Sequence, residues 1–231
     1  MERLLQTGLA ALGLPDEGIP ALLRFSDALV ERNKVMNLTA ITEPSEIATL
    51  HFLDCAALLT LADLKGKSVV DVGTGAGFPG MPLKILEPSI HMTLLDSLNK
   101  RIDFLKEVCA DLGLTDVECV HSRAEEFAAQ HREQFDFATS RAVANLQVLS
   151  ELCLPLVKVG GCFLAMKAVD SDDELEQAKK AIAVLGGKLE KVFDYPIPNT
   201  DIRHRLVMIR KVKPTPAKYP RIFAKIKKTP L

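Results

Sequence analysis

A chain of 231 residues with 48% apolar content is long enough for one ordinary domain with a helical extension, and apolar enough to bury a full core, which argues against global disorder. It contains no run of about 18 uncharged apolar residues, so no membrane span is expected. The net charge is −1, but the ten Lys and Arg from Ile202 to Leu231 face no Asp or Glu, and the other 19 basic residues share residues 1–201 with all 30 acidic ones, a net −11 there.

In chain order, residues 2–13 repeat apolar side chains at helical spacing, with Gly13 as a stop. Ile19 to Met36 reads as a longer helix with Leu22, Leu23, Ala28 and Leu29 on one face. Thr42 is a candidate N-cap for a helix from about Pro44 to Leu61. Residues 1–62 therefore read as an N-terminal helical extension. Strands and helices then alternate. Val69–Val72 is a strand leading into a glycine turn. The strands Ile90–Leu95, Val117–Val120, Phe135–Thr139 and Gly161–Met166 follow. Helices are expected over Asn99–Leu112, Arg123–Gln130, Asn145–Val157 and Asp172–Leu185. Leu189–Tyr195 and His204–Val212 close the pattern as an antiparallel hairpin at the sheet edge. Such alternation implies βαβ units and an α/β fold with a doubly wound, mostly parallel, seven-stranded sheet over 63–213. Residues 214–231 form a basic tail that wraps the surface or stays mobile.

The stretch Asp71-Val-Gly-Thr-Gly-Ala-Gly-Phe-Pro-Gly80 carries the chemistry. Strand, glycine turn and helix N-terminus make a nucleotide-type pocket. The dinucleotide fingerprint needs Gly at its sixth position, where Phe78 stands. An acid before alternate glycines instead resembles motif I of the S-adenosylmethionine-dependent methyltransferases. Asp96, at the end of the next strand, is placed to accept both ribose hydroxyls; its plainer reading is an N-cap. In this class the turn Ser122-Arg-Ala-Glu-Glu126 lies beside the adenine, where Ala124 and Glu125 could meet the base edge. Alone, it reads as an ordinary acidic first turn.

Ser140-Arg-Ala-Val-Ala144 follows the fourth strand. The Asn/Asp-Pro-Pro-aromatic segment of exocyclic-amine methylation is absent, as is a Pro-Cys pair for attack on cytosine. That leaves Arg141, whose forked donors could hold a carboxylate, a phosphate or a guanine edge, or form a structural ion pair. Five Cys without a CxxC pair fit a reduced, cytoplasmic setting. The start, Met1-Glu-Arg-Leu-Leu, lacks the plan of a secretory leader. His and Cys do not cluster at ligand spacing, so no metal is expected.

Together these residues closely resemble the 16S ribosomal RNA guanine-N7 methyltransferases of the RsmG/GidB family. The likeness includes Asn33-Lys-Val-Met-Asn-Leu-Thr-Ala40, His51-Phe-Leu-Asp54, Leu94-Leu-Asp-Ser-Leu-Asn-Lys-Arg101, Thr139-Ser-Arg-Ala-Val-Ala144 and Lys218-Tyr-Pro-Arg221. It implies a Rossmann-like class I methyltransferase that uses S-adenosyl-L-methionine to methylate one guanine N7 in the decoding region of 16S RNA, free or in an assembling small subunit. The implied cofactor positions are Gly73, Gly75, Phe78, Asp96, Ser97, Leu98, Ala124, Glu125 and Arg141. Candidates for RNA contact are Lys34, Asn37, His51 and Lys100, with Arg101, Arg123, Lys167 and Arg221. No DNA partner is expected, and the protein is expected to act as a monomer. Two departures stand out: Arg32 replaces a Trp common in the family, and Ile222, Phe223, Ala224 and Ile226 interrupt its usual tail. A small-molecule methyltransferase, an NAD-dependent dehydrogenase and a non-catalytic RNA-binding protein remain as alternatives at this point. The dehydrogenase is disfavoured by Phe78 and Asp71.

Overall fold

The computed structural model describes residues 1–141 and 144–231. Ala142 and Val143 of the Ser-Arg-Ala-Val-Ala segment lie outside the described residues. Three helices come first: α1 (Glu2–Ala11), α2 (Ile19–Asn33) and α3 (44–61). The α3 backbone widens into a π-helical stretch over Ile47–Leu53. Such a stretch re-aims side chains and often marks a functional region. Glu43, not Thr42, occupies the N-cap of α3, without a side-chain cap.

The sheet then builds through β1 (Ser68–Val72), α4 (Gly80–Leu86), β2 (His91–Asp96), α5 (Asn99–Leu112), β3 (Val117–His121) and α6 (Ala124–Gln130). It continues with β4 (Phe135–Arg141), α7 (Leu146–Cys153), β5 (Val157–Ala168), α8 (Asp172–Val184), β6 (Gly187–Pro196) and β7 (Arg203–Lys211). The strand order is β3-β2-β1-β4-β5-β7-β6. Neighbours from β3 to β5 run parallel, and β7 runs antiparallel to both β5 and β6. The last two strands form the expected hairpin at the sheet edge, with β7 inserted between β5 and β6 and β6 outermost.

Two boundaries differ from expectation for one reason. Pro155 has no N–H to donate, so the helix expected to reach Val157 stops at Cys153. A single 3₁₀ turn, Leu154–Leu156, then starts β5 four residues earlier than the apolar run suggests.

Alternation along the strands feeds two separate cores, as period-2 geometry requires. Val69, Leu164 and Leu206 face one cluster; Val70, Phe163 and Val207 face the other. The first cluster includes Phe25, Phe52, Phe78, Met81 and Ile102, so α1, α2 and α3 cover the same sheet face as α4 and α5. The second holds Phe127, Leu149, Ala178 and Ile182, and also takes Tyr219 and Ile226 from the chain end. The tail is thus folded against the body and ends in a short helix, α9 (Phe223–Lys228). Among the described residues no helix is long and apolar enough to cross a membrane.

Candidate active site

The site forms where β1, β2, β3 and β4 end. Asp71, next to last in β1, is fully buried. Its Oδ2 accepts from Thr74 Oγ1 at 2.7 Å and from the Gly80 amide at 2.8 Å, spanning the glycine loop from below. Burial outweighs these bonds and pushes the Asp71 carboxyl up to about 6. Two glycines differ in purpose. A Cβ on Gly75 (φ +60°) would meet nothing nearer than 3.9 Å, so its requirement is backbone conformation beside open space. A Cβ on Gly77 (φ +103°) would sit 2.6 Å from Met81 Cγ and 2.9 Å from Leu105 Cδ2, so that glycine is required by packing as well as by its backbone.

Asp96, only 4% exposed, ends β2 across from the loop. Its Oδ2 accepts from the Gly75 amide at 2.9 Å and its Oδ1 from the Leu98 amide at 2.9 Å. Arg101 Nη1 reaches Oδ2 at 3.4 Å. The N-cap reading of Asp96 therefore fails: the carboxylate ties the glycine loop to the turn before α5. Leu98 occupies the N-cap itself.

Arg141, at the end of β4, is the hub of a buried polar network. Its Nη1 donates to Leu50 O at 3.1 Å and lies 3.3 Å from Asp54 Oδ2. Its Nη2 donates to His51 Nδ1 at 2.9 Å. A guanidinium cannot accept, so His51 Nδ1 is the acceptor and its Nε2–H donates to Thr39 Oγ1 at 3.0 Å. Burial, and then the Arg141 charge, lower His51 to about 3, which leaves it neutral. Arg141 and His51 both stack on Phe78, at 4.8 and 4.3 Å from its ring centroid. Asp54 is fully buried; its Oδ1 accepts from Tyr195 OH at 2.8 Å and from His204 Nδ1 at 2.9 Å. That bond to Asp54 raises His204 and favours its charged form. His51, a candidate for RNA contact, is thus buried and bonded to Thr39 and Arg141.

Three clefts meet around these groups. The glycine loop opens on a cleft of about 410 Å³ lined by Gly73, Gly75, Phe78, Asp96, Ser97 and Arg141, with His51 and Arg101 beside them. A smaller cleft of about 120 Å³ shares Gly73, Asp96 and Ser97 and continues to Ser122, Ala124, Glu125 and Phe223. A third, about 470 Å³, lies across Arg141 and His51, between Met166, Lys167, Ile202 and His204. The expected cofactor positions are therefore contiguous except Leu98, which stands half-exposed at the rim.

The RNA candidates divide. Lys34, Asn37, Lys100 and Arg123 are exposed. Lys167 turns inward, donating to Ala144 O at 2.7 Å and Glu174 Oε1 at 2.5 Å. Arg221 is clamped on fully buried Glu151, its Nε at 2.8 Å from Oε1 and its Nη2 at 2.6 Å from Oε2. Both are held in ion pairs rather than offered to a phosphate, because each lies over an otherwise unpaired carboxylate. Thr39, Tyr195, His204 and Phe223 join the site without having been singled out. Tyr195 and His204 lie 141 and 150 residues from the Asp54 they bond, and no local pattern reports such a pairing.

The family model described as GidB, rRNA small subunit methyltransferase G, matches residues 19–201. The chain belongs to this family. A ribosomal RNA small subunit methyltransferase G of Clostridium botulinum (strain Loch Maree / Type A3) is 50% identical over 95% of this chain and 93% of its own length. The protein of the same name from Acetivibrio thermocellus is 46% identical over 100% of this chain and 97% of its own. Among solved structures, a SAM-dependent methyltransferase from Aquifex aeolicus superposes with a TM-score of 0.54 at 19% identity, covering 79% of this chain and 98% of that one. That last likeness supports the Rossmann-like methyltransferase fold of this GidB-family chain.

Proposed function

We propose that this GidB-family methyltransferase uses S-adenosyl-L-methionine to methylate N7 of a guanine in the decoding region of 16S ribosomal RNA. It does so as a cytoplasmic monomer, on free RNA or an assembling small subunit and not on DNA. The observation that carries the reading is the pair of joined clefts around Asp96. A carboxylate at a strand end can accept both ribose hydroxyls: of its about four lone-pair sites two take the Gly75 and Leu98 amides, and Arg101, only loosely held at 3.4 Å, can yield a third to a ligand. The turn with Ala124 and Glu125 then borders the adenosine side. Gly73, Gly75 and Phe78 border the methionine side, where open space beside Gly75 lets a ligand approach the backbone. The third cleft, past Arg141, suits the acceptor base.

Bound S-adenosylmethionine supplies an electrophilic methyl group; the chain supplies position. Guanine N7 carries an in-plane lone pair and no proton, so it can attack the methyl in line, and the sulfur leaves with the bonding pair. No base is needed first. The titratable groups here agree. His51 is neutral with both nitrogens engaged, Asp71 lies beneath the loop, and His204 is held toward its charged form by Asp54. Alkylated N7 is cationic, so Arg141 serves its neighbours and a ligand edge rather than N7 itself. N7 is reachable only where the RNA is open, and exposed Lys34, Lys100 and Arg123 would grip phosphate there in a salt-dependent way.

Borohydride–aniline cleavage maps N7-methylguanine directly. 16S RNA from cells lacking this protein should lose one cleavage site, and the purified protein with labelled S-adenosylmethionine should restore it. An unchanged cleavage pattern would refute the reading.

A further inference from the structure

We infer that the C-terminal tail completes the adenosine pocket of this chain, with Phe223 as a binding residue against the purine and Glu125 as the positioning residue that sets it there. The inference rests on the cofactor reading above. Three observations carry it.

The tail is fastened, not draped. Arg132 donates to the carbonyls of Thr215, Pro216 and Tyr219. The Arg221 amide and side chain both bond buried Glu151. Gln147 holds Leu231 O at 3.1 Å. Between these points Ile226 is fully buried in the core beneath α7.

The fastening aims one side chain. Phe223 and Ile226 are three residues apart in α9 and so share a face. With Ile226 anchored in the core, Phe223 is left against the smaller cleft. There it is the tail's contribution to a wall otherwise made by Val72, Leu95, Leu152 and the Ser122–Glu125 turn.

Glu125 is committed to the tail. Its Oε1 accepts from the Phe223 amide at 3.2 Å. Its role is thus to hold the tail, which leaves the base edge to the backbone around Ala124. An aromatic ring lining one cleft with the apolar side chains of Val72, Leu95 and Leu152 suits a purine plane, because every base has a π-face. Of the apolar residues that interrupt the family's basic tail, Ile226 and Phe223 turn inward, whereas Ile222 and Ala224 stay exposed.

The test is calorimetric titration of the full-length protein with S-adenosylhomocysteine and with 5′-methylthioadenosine, which lacks the methionine end. Phe223→Ala should weaken both ligands by the same factor, about five- to tenfold. Phe223→Tyr, which keeps the ring, should restore both. Should Phe223→Ala not fold, Phe223→Leu keeps the apolar volume without the ring and is read by the same criteria. Unchanged affinities, or weakening of S-adenosylhomocysteine alone, would overturn the tail's role. A wild-type protein that binds neither ligand would instead overturn the cofactor reading.

Discussion

Asp96→Asn isolates one carboxylate with two jobs. In the free protein Oδ1 and Oδ2 each accept a backbone N–H, from Leu98 and Gly75, both at 2.9 Å. An amide has one oxygen, so in either orientation its NH₂ opposes one of those N–H groups. Leaving a buried donor unmatched costs about 1–3 kcal/mol, and the melting temperature should fall accordingly. Binding adds a second loss. On the proposed reading ribose hydroxyls donate to a carboxylate in the wild type, and the amide can serve only one of them. A hydrogen bond to a charged group contributes about 1.5–3 kcal/mol, which corresponds to a roughly ten- to hundredfold weaker Kd. Calorimetry with S-adenosylhomocysteine reads the affinity, and a thermal melt without ligand reads the stability. If the melting temperature drops while Kd stays within about twofold of wild type, Asp96 only braces the loop and the ribose assignment is wrong.

Arg141→Ala removes the partner of His51 Nδ1 and of Asp54 Oδ2. Methyl transfer to RNA should fall roughly ten- to hundredfold, with the far-ultraviolet circular dichroism spectrum unchanged, since Tyr195 and His204 still hold Asp54; wild-type turnover would remove Arg141 from the site. The pH dependence of stability carries two opposed contributions. His51 has its folded pKa lowered to about 3 from 6.5, so its contribution is full above pH 6.5 and is lost as pH falls toward 3. Asp71 has its folded pKa raised to about 6 from 3.8, so it erodes stability as pH rises from 3.8 to 6. Between about pH 4 and 6 the two nearly cancel. Asp71→Asn should unmask His51, so urea unfolding of the variant should lose about 1.4 kcal/mol more per pH unit than wild type on acidification over that interval. Parallel stability curves for the two proteins would show that one of these shifts is misassigned.

Much of this was legible in the chain because it is local. The glycine loop, Asp96 and the Ser122–Glu125 turn sit at the ends of consecutive parallel strands, and strand-end position follows from alternation alone. The network beyond Arg141 was not legible. Asp54 and His51 face it because α3 adopts π-helical backbone over Ile47–Leu53, and no propensity in that sequence announces the widened turn. The tail misled for a different reason. Its charge makes Arg221 a candidate for RNA contact, yet Glu151 and Glu125 lie beneath the tail and recruit Arg221 and the Phe223 backbone inward. A count of lysines and arginines cannot register where the opposing carboxylates lie in space.

The same network explains why the Asn33–Ala40 segment is specific to this site. Asn33 Oδ1 accepts from the amides of Leu38 and Thr39, at 2.7 and 3.1 Å, and its Nδ2 donates to Thr39 O at 3.0 Å. That one side chain shapes the loop leaving α2. The loop presents Thr39 Oγ1 to His51 Nε2, where the hydroxyl accepts from the tautomer that Arg141, a pure donor, imposes through Nδ1. Arg141, held in turn by Asp54, separates the cleft beside the glycine loop from the one beside His204. A reaction that needs no proton transfer gains most from such fixed geometry, because the barrier left to lower is one of alignment and desolvation. On the function proposed above, α2 and α3 supply the wall that would set where the acceptor base stands, beside a nucleotide held at the strand ends.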